Sequence, residues 1–415
     1  MSVRTPSCNV WIVSSKSIAK VCDLIPANQG RQSLSAGLIE AYELQHKCGL
    51  IQVGSISEQD IKAYHTEQYI NCLLRNRNRL DSQSLETSAI RELIQELNSE
   101  CGLNEIQDCL YFQLENDSVE EDSSEDLDQL KEFNLSFDCY PFPFMATYAK
   151  VVAATSIYTA KQLVETRFEG TQNIAINWYG GRHHCTKLRA AGYCYINDII
   201  LAIRLLRRSF QKVFYLDLDL HHGDGVESAY KFSKNVFTCS IHRYDLGFYP
   251  GTGSLHSSGP NRVNIPTKRG LSDSSMLFIL TEIVIPIIEN YSPQVLVIQA
   301  GCDGLGTDSH KEWNLTIKGF GTIFELLKNK FNIPIMILGG GGYNHSETAK
   351  CWAYITKILV NDSEEWDVIP DHDHIDAYAD DSFQFWTSEN LQPKKMQDEN
   401  DFEYLNKLKE YLSFI

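Results

Sequence analysis

The stretch Asp217-Leu-Asp-Leu-His-His-Gly-Asp-Gly-Val226 decides the reading of this chain. It follows the apolar, β-prone run Val213-Phe-Tyr-Leu216, so a buried strand is predicted to end in a cluster of metal-ligand side chains. Alternate strand residues face the same way, which puts Asp217 and Asp219 on one face, with Asp219 two residues before His221. Two carboxylates and an imidazole suit a borderline divalent ion such as zinc better than an all-oxygen magnesium or calcium cage. A polar loop after a strand explains a lone Asp-x-Asp. It does not explain a string that closes in Gly-Asp-Gly.

Working outward, further β-prone runs alternate with helical patterns: Val10–Val13, Ile174–Trp178, Val213–Leu220, Val236–His242, Val295–Gly301 and Ile335–Leu338. Their near-continuous apolar character reads as one mainly parallel α/β sheet covered on both faces. Ligands of such sheets sit at the carboxyl ends of strands. The polar motifs lie there: His183 and His184 after one strand, Asp219 and His221 after the next, then Asp303, then Tyr343.

Composition narrows the classes. In 415 residues, 43% hydrophobic and 22% charged describe an ordinary globular protein with room for a large core. No apolar stretch approaches about 18 residues, so no membrane span is expected. Met1–Lys20 lacks a charged start followed by an apolar core, so no secretory signal is read. The 12 cysteines, without CxxC pairs, fit free thiols in a reducing compartment. A net charge of −17 argues against broad nucleic-acid binding and is compatible with basic partners such as lysine-rich tails. Glu115–Asp128 is acidic with no basic residue and is expected to be a mobile surface loop. Leu85–Leu97 reads as helical, and Asp401–Ile415 as a short amphipathic helix packed on the domain.

Three further motifs carry chemistry. Asn177-Trp-Tyr-Gly-Gly-Arg-His-His184 ends a strand in a Gly-Gly turn and two adjacent imidazoles, suited to paired acid–base work near neutral pH. Asp217 and Asp224 stand where they can accept the ring N–H groups of that pair. Gln299-Ala-Gly-Cys-Asp-Gly304 offers Asp303 as the third ligand that a zinc site with Asp219 and His221 still lacks. Leu338-Gly-Gly-Gly-Gly-Tyr-Asn344 has no Gly-Lys-Ser/Thr and is no phosphate loop of the Walker type. It presents Tyr343, whose hydroxyl can polarise a carbonyl beside the metal.

With these pieces the chain resembles the zinc-dependent histone deacetylases, most closely class I. The matching segments are Ala175–Trp178 with Gly180-Gly181 and His183-His184, Gly192–Asp198, Tyr215–Glu227, Pro250–Gly253, Gln299–Asp303 and Leu338–Asn344. The resemblance implies the arginase/deacetylase fold, one α/β domain over residues 1–415 with an eight-stranded, mainly parallel sheet flanked by helices. The longer stretch at about 75–135 is then an insertion. It implies zinc on Asp219, His221 and Asp303, the tandem pair His183 and His184 with Asp217 and Asp224 as partners, and Tyr343 as the transition-state donor. It implies Asp138 at the rim and Gly192, Tyr193 and Tyr249 lining an acyl-lysine tunnel. It implies potassium at Asp217, Asp219, His221 and Ser240, and again near Tyr230, Ser233 and Val236. Arg31 matches the arginine at the foot of an internal acetate channel.

The activity implied is hydrolysis of acetyl-lysine in histone tails or other proteins, in the nucleus or cytoplasm, with corepressor-type partners and neither nucleic acid nor membrane. Departures from the family pattern are Arg182, where a bulky aromatic or a small residue is usual, Leu188-Arg189 for an acidic pair, Tyr193 and Tyr249 for Phe, and His310 for an apolar rim residue. They bear on acyl preference. A deacylase for other acyl groups or small acetylated amines such as polyamines, a scaffold that keeps the pocket, and a binuclear manganese hydrolase are the alternatives.

Overall fold

The computed structural model describes residues 8–75, 124–142, 144–167, 171–391 and 396–413. Eight strands form one sheet: β1 (Cys8–Ile12), β2 (Gly49–Leu50), β3 (Gln172–Asn177), β4 (Val213–Asp217), β5 (Val236–Arg243), β6 (Arg262–Thr267), β7 (Val295–Gln299) and β8 (Ile335–Leu338). Their order is β2-β1-β3-β8-β7-β4-β5-β6, and every pairing is parallel. The expected mainly parallel sheet is therefore wholly parallel among the described residues.

Side-chain alternation splits the interior in two. Val213 and Tyr215 join a core on one face, while Phe214 and Leu216 join a core on the other. The helices α1 (Arg31–Ala41), α2 (Met145–Glu165), α3 (Asp198–Leu206), α4 (Asp224–Tyr230), α5 (Ile317–Lys330) and α6 (His345–Leu359) supply the cover. α2 and α3 pack into the first core, and α1, α5 and α6 into the second. The strand order matters for function. β3, β8, β7 and β4 are side by side, so the loops leaving them open together at one edge of the sheet.

Some readings are corrected. The run Val213–Leu220 is strand only to Asp217. Beyond it, Oδ1 of Asp217 accepts the Asp219 N–H and Oδ1 of Asp303 accepts the Leu220 N–H, so carboxylates replace ladder partners. β2 is too short for a sequence signal, and β6 is an edge strand carrying Pro266. Ser124–Glu132 is a helix, so the end of the acidic segment is not loop. Its Leu130 is buried, which gives that turn a packing face. The rest of the acidic segment and the predicted helix Leu85–Leu97 lie outside the described residues. The C-terminal helix is Phe402–Leu412, capped by Asp401 and buried through Leu405, Leu408 and Leu412.

One helical stretch, Asp273–Tyr291, has 19 residues and a mean hydropathy of 1.3, long and apolar enough by length and composition alone to cross a membrane. It is the core helix of a sheet face. Met276, Ile279, Leu280, Ile283, Val284 and Ile288 pack into the second core, and Glu282 and Glu289 make ion pairs with Lys409 and Lys330.

Candidate metal and catalytic centre

Asp219 and His221 leave β4, and Asp303 leaves β7, the neighbouring strand. One ligand atom from each of the three lies within 4.8 Å of the others, and all three residues are buried. Nδ1 of His221 is 2.9 Å from Oδ2 of Asp303 and 3.3 Å from Oδ1 of Asp219. Burial first, and then the charge of Asp219, push Asp303 up to about 6. Two carboxylates and an imidazole converging in a buried cluster suit a divalent cation, which relieves the repulsion between the carboxylates. That donor set fits zinc.

The carboxylates are held from behind. Nε2 of Gln299 and the Gly341 N–H both donate to Oδ2 of Asp219, each at 2.8 Å. A Cβ on Gly341 would stand 2.4 Å from Oδ2 of Asp303, so only glycine lets the chain pass so close. Gln299 lies in a motif singled out by sequence, but its grip on Asp219 shows only in three dimensions.

The tandem histidines follow β3. Gly181, at φ +95°, turns the chain against the Gly339 carbonyl, which a Cβ would strike at 2.1 Å. Asp198, at the start of α3, accepts the Gly181 and Arg182 N–H groups at 2.9 and 2.8 Å and fixes the turn. Nδ1 of His183 meets Oδ2 of Asp217 at 2.9 Å, and Nδ1 of His184 meets Oδ1 of Asp224 at 2.7 Å. Asp217 also accepts from Tyr215 at 2.6 Å. Both expected pairings are thus present. Burial disfavours a charge on His183, but Asp217 and Asp219 outweigh it and push it up to about 9. Burial, reinforced by the charge of His183, pushes His184 down to about 4 despite Asp224. Nε2 of His183 is 3.8 Å from Oδ1 of Asp219, so the pair adjoins the triad.

Tyr343 comes from the loop between β8 and α6. Asn344 caps α6 by accepting the Glu347 N–H, and Oδ2 of Asp308 accepts the Tyr343 and Asn344 N–H groups at 2.7 and 3.2 Å. Asp308 was not legible in sequence, because a carboxylate five residues past Asp303 carries no motif. Oδ1 of Asp308 also meets Nδ1 of His310 at 2.9 Å, and the His310 ring lies 4.8 Å from Tyr343 and 5.1 Å from His221. His310, expected at the rim, therefore lies beside both Tyr343 and His221. Burial and nearby negative charge push the Tyr343 hydroxyl well above its ordinary range. It remains a donor.

Gly192, Tyr193 and Tyr249 lie near His184 and Tyr343. A Cβ on Gly192 would meet Cδ2 of His184 at 2.3 Å and the Tyr249 hydroxyl at 2.8 Å. Tyr249 stands edge-on to His184 at 5.0 Å, and Tyr193 edge-on to Tyr343 at 6.1 Å. Oδ2 of Asp138 accepts the Gly192 N–H at 2.7 Å and so fixes the backbone there. Ser240 pairs with Asp217 across β4 and β5 and contacts Nδ1 of His242 at 2.9 Å. Tyr230, Ser233 and Val236 form one turn, closed by the Ser233 N–H to the Tyr230 carbonyl and the Val236 N–H to Oγ of Ser233.

A parallel eight-stranded sheet whose strand ends gather Asp-His-Asp, two Asp-backed histidines and a half-buried tyrosine defines a metal-dependent hydrolase of the deacetylase class. Residues 25–359 match the histone deacetylase domain, and the chain belongs to the histone deacetylase family, hydrolases of the acetyl-lysine amide bond. Histone deacetylase HOS1 of Saccharomyces cerevisiae is 33% identical over 91% of this chain and 93% of its own length. Histone deacetylase 8 of Xenopus tropicalis is 30% identical over 89% of this chain and 88% of its own. Histone deacetylase 1 of Homo sapiens is 36% identical over 68% of this chain and 58% of its own.

Proposed function

We propose that this chain is a zinc-dependent protein lysine deacetylase. The observation that carries the reading is the contact of Asp-backed His183 with the Asp219-His221-Asp303 triad, with Asp-backed His184 packed against it at 3.9 Å and Tyr249 beside His184. Zinc held by the triad supplies Lewis-acid polarisation of the acyl carbonyl and acidifies water.

The remaining work belongs to side chains. His184 faces the tunnel wall at Gly192 and Tyr249. With Asp224 holding its Nδ1, its other nitrogen takes a proton from the attacking water and returns one to the lysine amine. His183, backed by Asp217, stabilises developing charge. Tyr343 donates to the oxyanion.

Gly192, Tyr193 and Tyr249 bind the acyl-lysine stem, with Asp138 and His310 at the rim. The hydroxyls of Tyr193 and Tyr249 set acyl preference. Potassium at Asp217, Asp219, His221 and Ser240, and at Tyr230, Ser233 and Val236, steadies the loops under the site. Residues 1–415 make one deacetylase domain with an insertion at about 75–135. The acidic net charge of −17 complements basic histone tails or similar substrates, in the nucleus or cytoplasm.

The test is turnover of an acetyl-lysine peptide against free acetylpolyamine by the wild-type protein and Tyr343→Phe. The reading expects the peptide to be preferred and Tyr343→Phe to lose on the order of 100- to 1000-fold. Preference for the free amine, or a Tyr343→Phe rate near wild type, overturns it.

A further inference from the structure

The chain is acidic, with 54 Asp and Glu against 37 Lys and Arg. Many of its surface lysines take a carboxylate partner, as Lys47 does with Asp362, Lys62 with Glu58, Lys330 with Glu289 and Lys409 with Glu282. One group of cations does not. Arg204, Arg207, Arg208, Lys212, Lys231 and Lys234 make no ion pair with a described residue. They gather at the N-terminal ends of β4 and β5, where the Val213 N–H donates to the Asn235 carbonyl at 3.0 Å. The catalytic side chains leave the opposite strand ends. Val213 and Asp217 bound β4, about 13 Å apart at the rise of a strand.

Three of these cations share a cavity. Arg204, Arg207 and Arg208, at the end of α3 and just beyond it, line a cleft of about 440 Å³ with Tyr230 and Asp60. Asp60 is the one acidic lining residue, and its Oδ2 is committed to the Ser57 N–H and hydroxyl at 2.9 and 2.8 Å. Arg207 is anchored through Nη1 to the Phe210 and Gln211 carbonyls, whereas Arg204 and Arg208 are exposed. Phe232 stands in the chain between Tyr230 and Ser233, which both line the cleft. It is 91% exposed, with Nζ of Lys231 5.6 Å from its ring centre. Guanidinium forks bind phosphate bidentately, and clustered arginines read phosphorylated motifs. A phosphorylated side chain carries up to about two negative charges against one for a carboxylate, which suits three guanidiniums facing a single occupied acid. An exposed aromatic beside them offers a protein segment an apolar contact that a free ion does not use.

We propose that the Arg204-Arg207-Arg208 cleft docks a segment of a partner protein bearing phosphoserine or phosphothreonine, with Phe232 covering an apolar residue beside the phosphate. Lys212 and Lys234, which line a second cavity on the other side of the Ser233–Phe237 turn, extend the positive surface for acidic flanking residues. The cleft is at the far end of β4 from the catalytic centre, so an occupant holds the chain without blocking its own substrate. The site does not rest on the deacetylase reading.

The experiment uses the full chain, wild type and the double variant Arg204→Gln/Arg208→Gln, whose two side chains are exposed. The probes are fluorescein-labelled peptide libraries with degenerate flanks around a fixed phosphoserine, serine or glutamate, read by anisotropy. Inorganic phosphate and a single-stranded oligonucleotide serve as competitors. The expected result is that the wild type binds the phosphoserine set on the order of 10-fold more tightly than the serine and glutamate sets. The double variant should lose that difference and hydrolyse an acetyl-lysine peptide at the wild-type rate. Equal binding of the three sets by the wild type overturns the proposal whether or not the variant folds, as does an undiminished difference in the variant. An oligonucleotide bound more tightly than the phosphoserine set overturns it in favour of nucleic acid. Inorganic phosphate that displaces the peptides at equal concentration shows a site for the free ion and overturns it as well.

Discussion

Gln299 donates its carboxamide N–H to Oδ2 of Asp219 across 2.8 Å, while its own Oε1 accepts the Gly301 N–H at 2.9 Å. The side chain is fully buried and orients a carboxylate of the candidate metal triad whose Oδ2 has no other side-chain donor among the described residues. Partners of this kind typically carry about 10- to 100-fold in metal affinity or activity. Gln299→Leu is therefore expected to weaken zinc binding by roughly that factor. Competition with a chelator measures it, and unchanged affinity contradicts the role.

Gly341 is a sharper case. The Cβ of Gly341→Ala would meet Oδ2 of Asp303 at 2.4 Å and Oδ2 of Asp219 at 3.0 Å. Its backbone is outside the left-handed region, so alanine adds no torsional strain. The expected outcome is a protein with native circular dichroism that no longer holds zinc. Retained zinc stoichiometry would show that the triad is not the metal site.

Asp308 orients Tyr343 without touching the triad. It is buried, and its carboxylate accepts two N–H groups of the Tyr343 loop and contacts His310. Removing it leaves those donors unpaired and lets the hydroxyl drift. A misplacement of about 1 Å can cost on the order of 100-fold in rate. Asp308→Ala should lose kcat by about that factor while zinc affinity stays near wild type. A joint loss of both contradicts a positioning role confined to Tyr343.

The pH dependence of stability has an identifiable contributor away from the metal. Nε2 of His65 accepts the Asn197 N–H at 3.1 Å, and burial pushes this imidazole down to about 3 from 6.5. The folded state keeps His65 neutral, whereas the unfolded chain takes up a proton near 6.5. The contribution is thus fully present above pH 6.5 and is lost as pH falls toward 3. Between pH 7 and 5 the loss amounts to about 2 kcal/mol. Urea unfolding at both values should show this drop in the wild type and a smaller one in His65→Gln. Equal drops rule His65 out.

What could be read in advance follows from where information resides. β3, β4, β5, β7 and β8 are buried on both faces, so their apolar runs announce them. β2, with two residues, and the edge strand β6, broken by Pro266, lack that signature. Asp219, His221, Asp303, the tandem histidines and Tyr343 each end a strand inside a motif, and the sheet order brings them together. Gln299 and Asp308 act through partners remote in sequence, at Asp219 and Tyr343. No local pattern marks those partners. The end of the acidic segment was misread as loop because charge hid the buried Leu130.

The most direct measurement is hydrolysis of an acetyl-lysine peptide by the purified chain before chelation, after it and after zinc is restored, with Asp219→Asn alongside. The account predicts turnover that disappears with the metal, returns with zinc and is nearly absent in Asp219→Asn at every stage. Turnover that survives chelation, or an Asp219→Asn rate close to wild type, contradicts it.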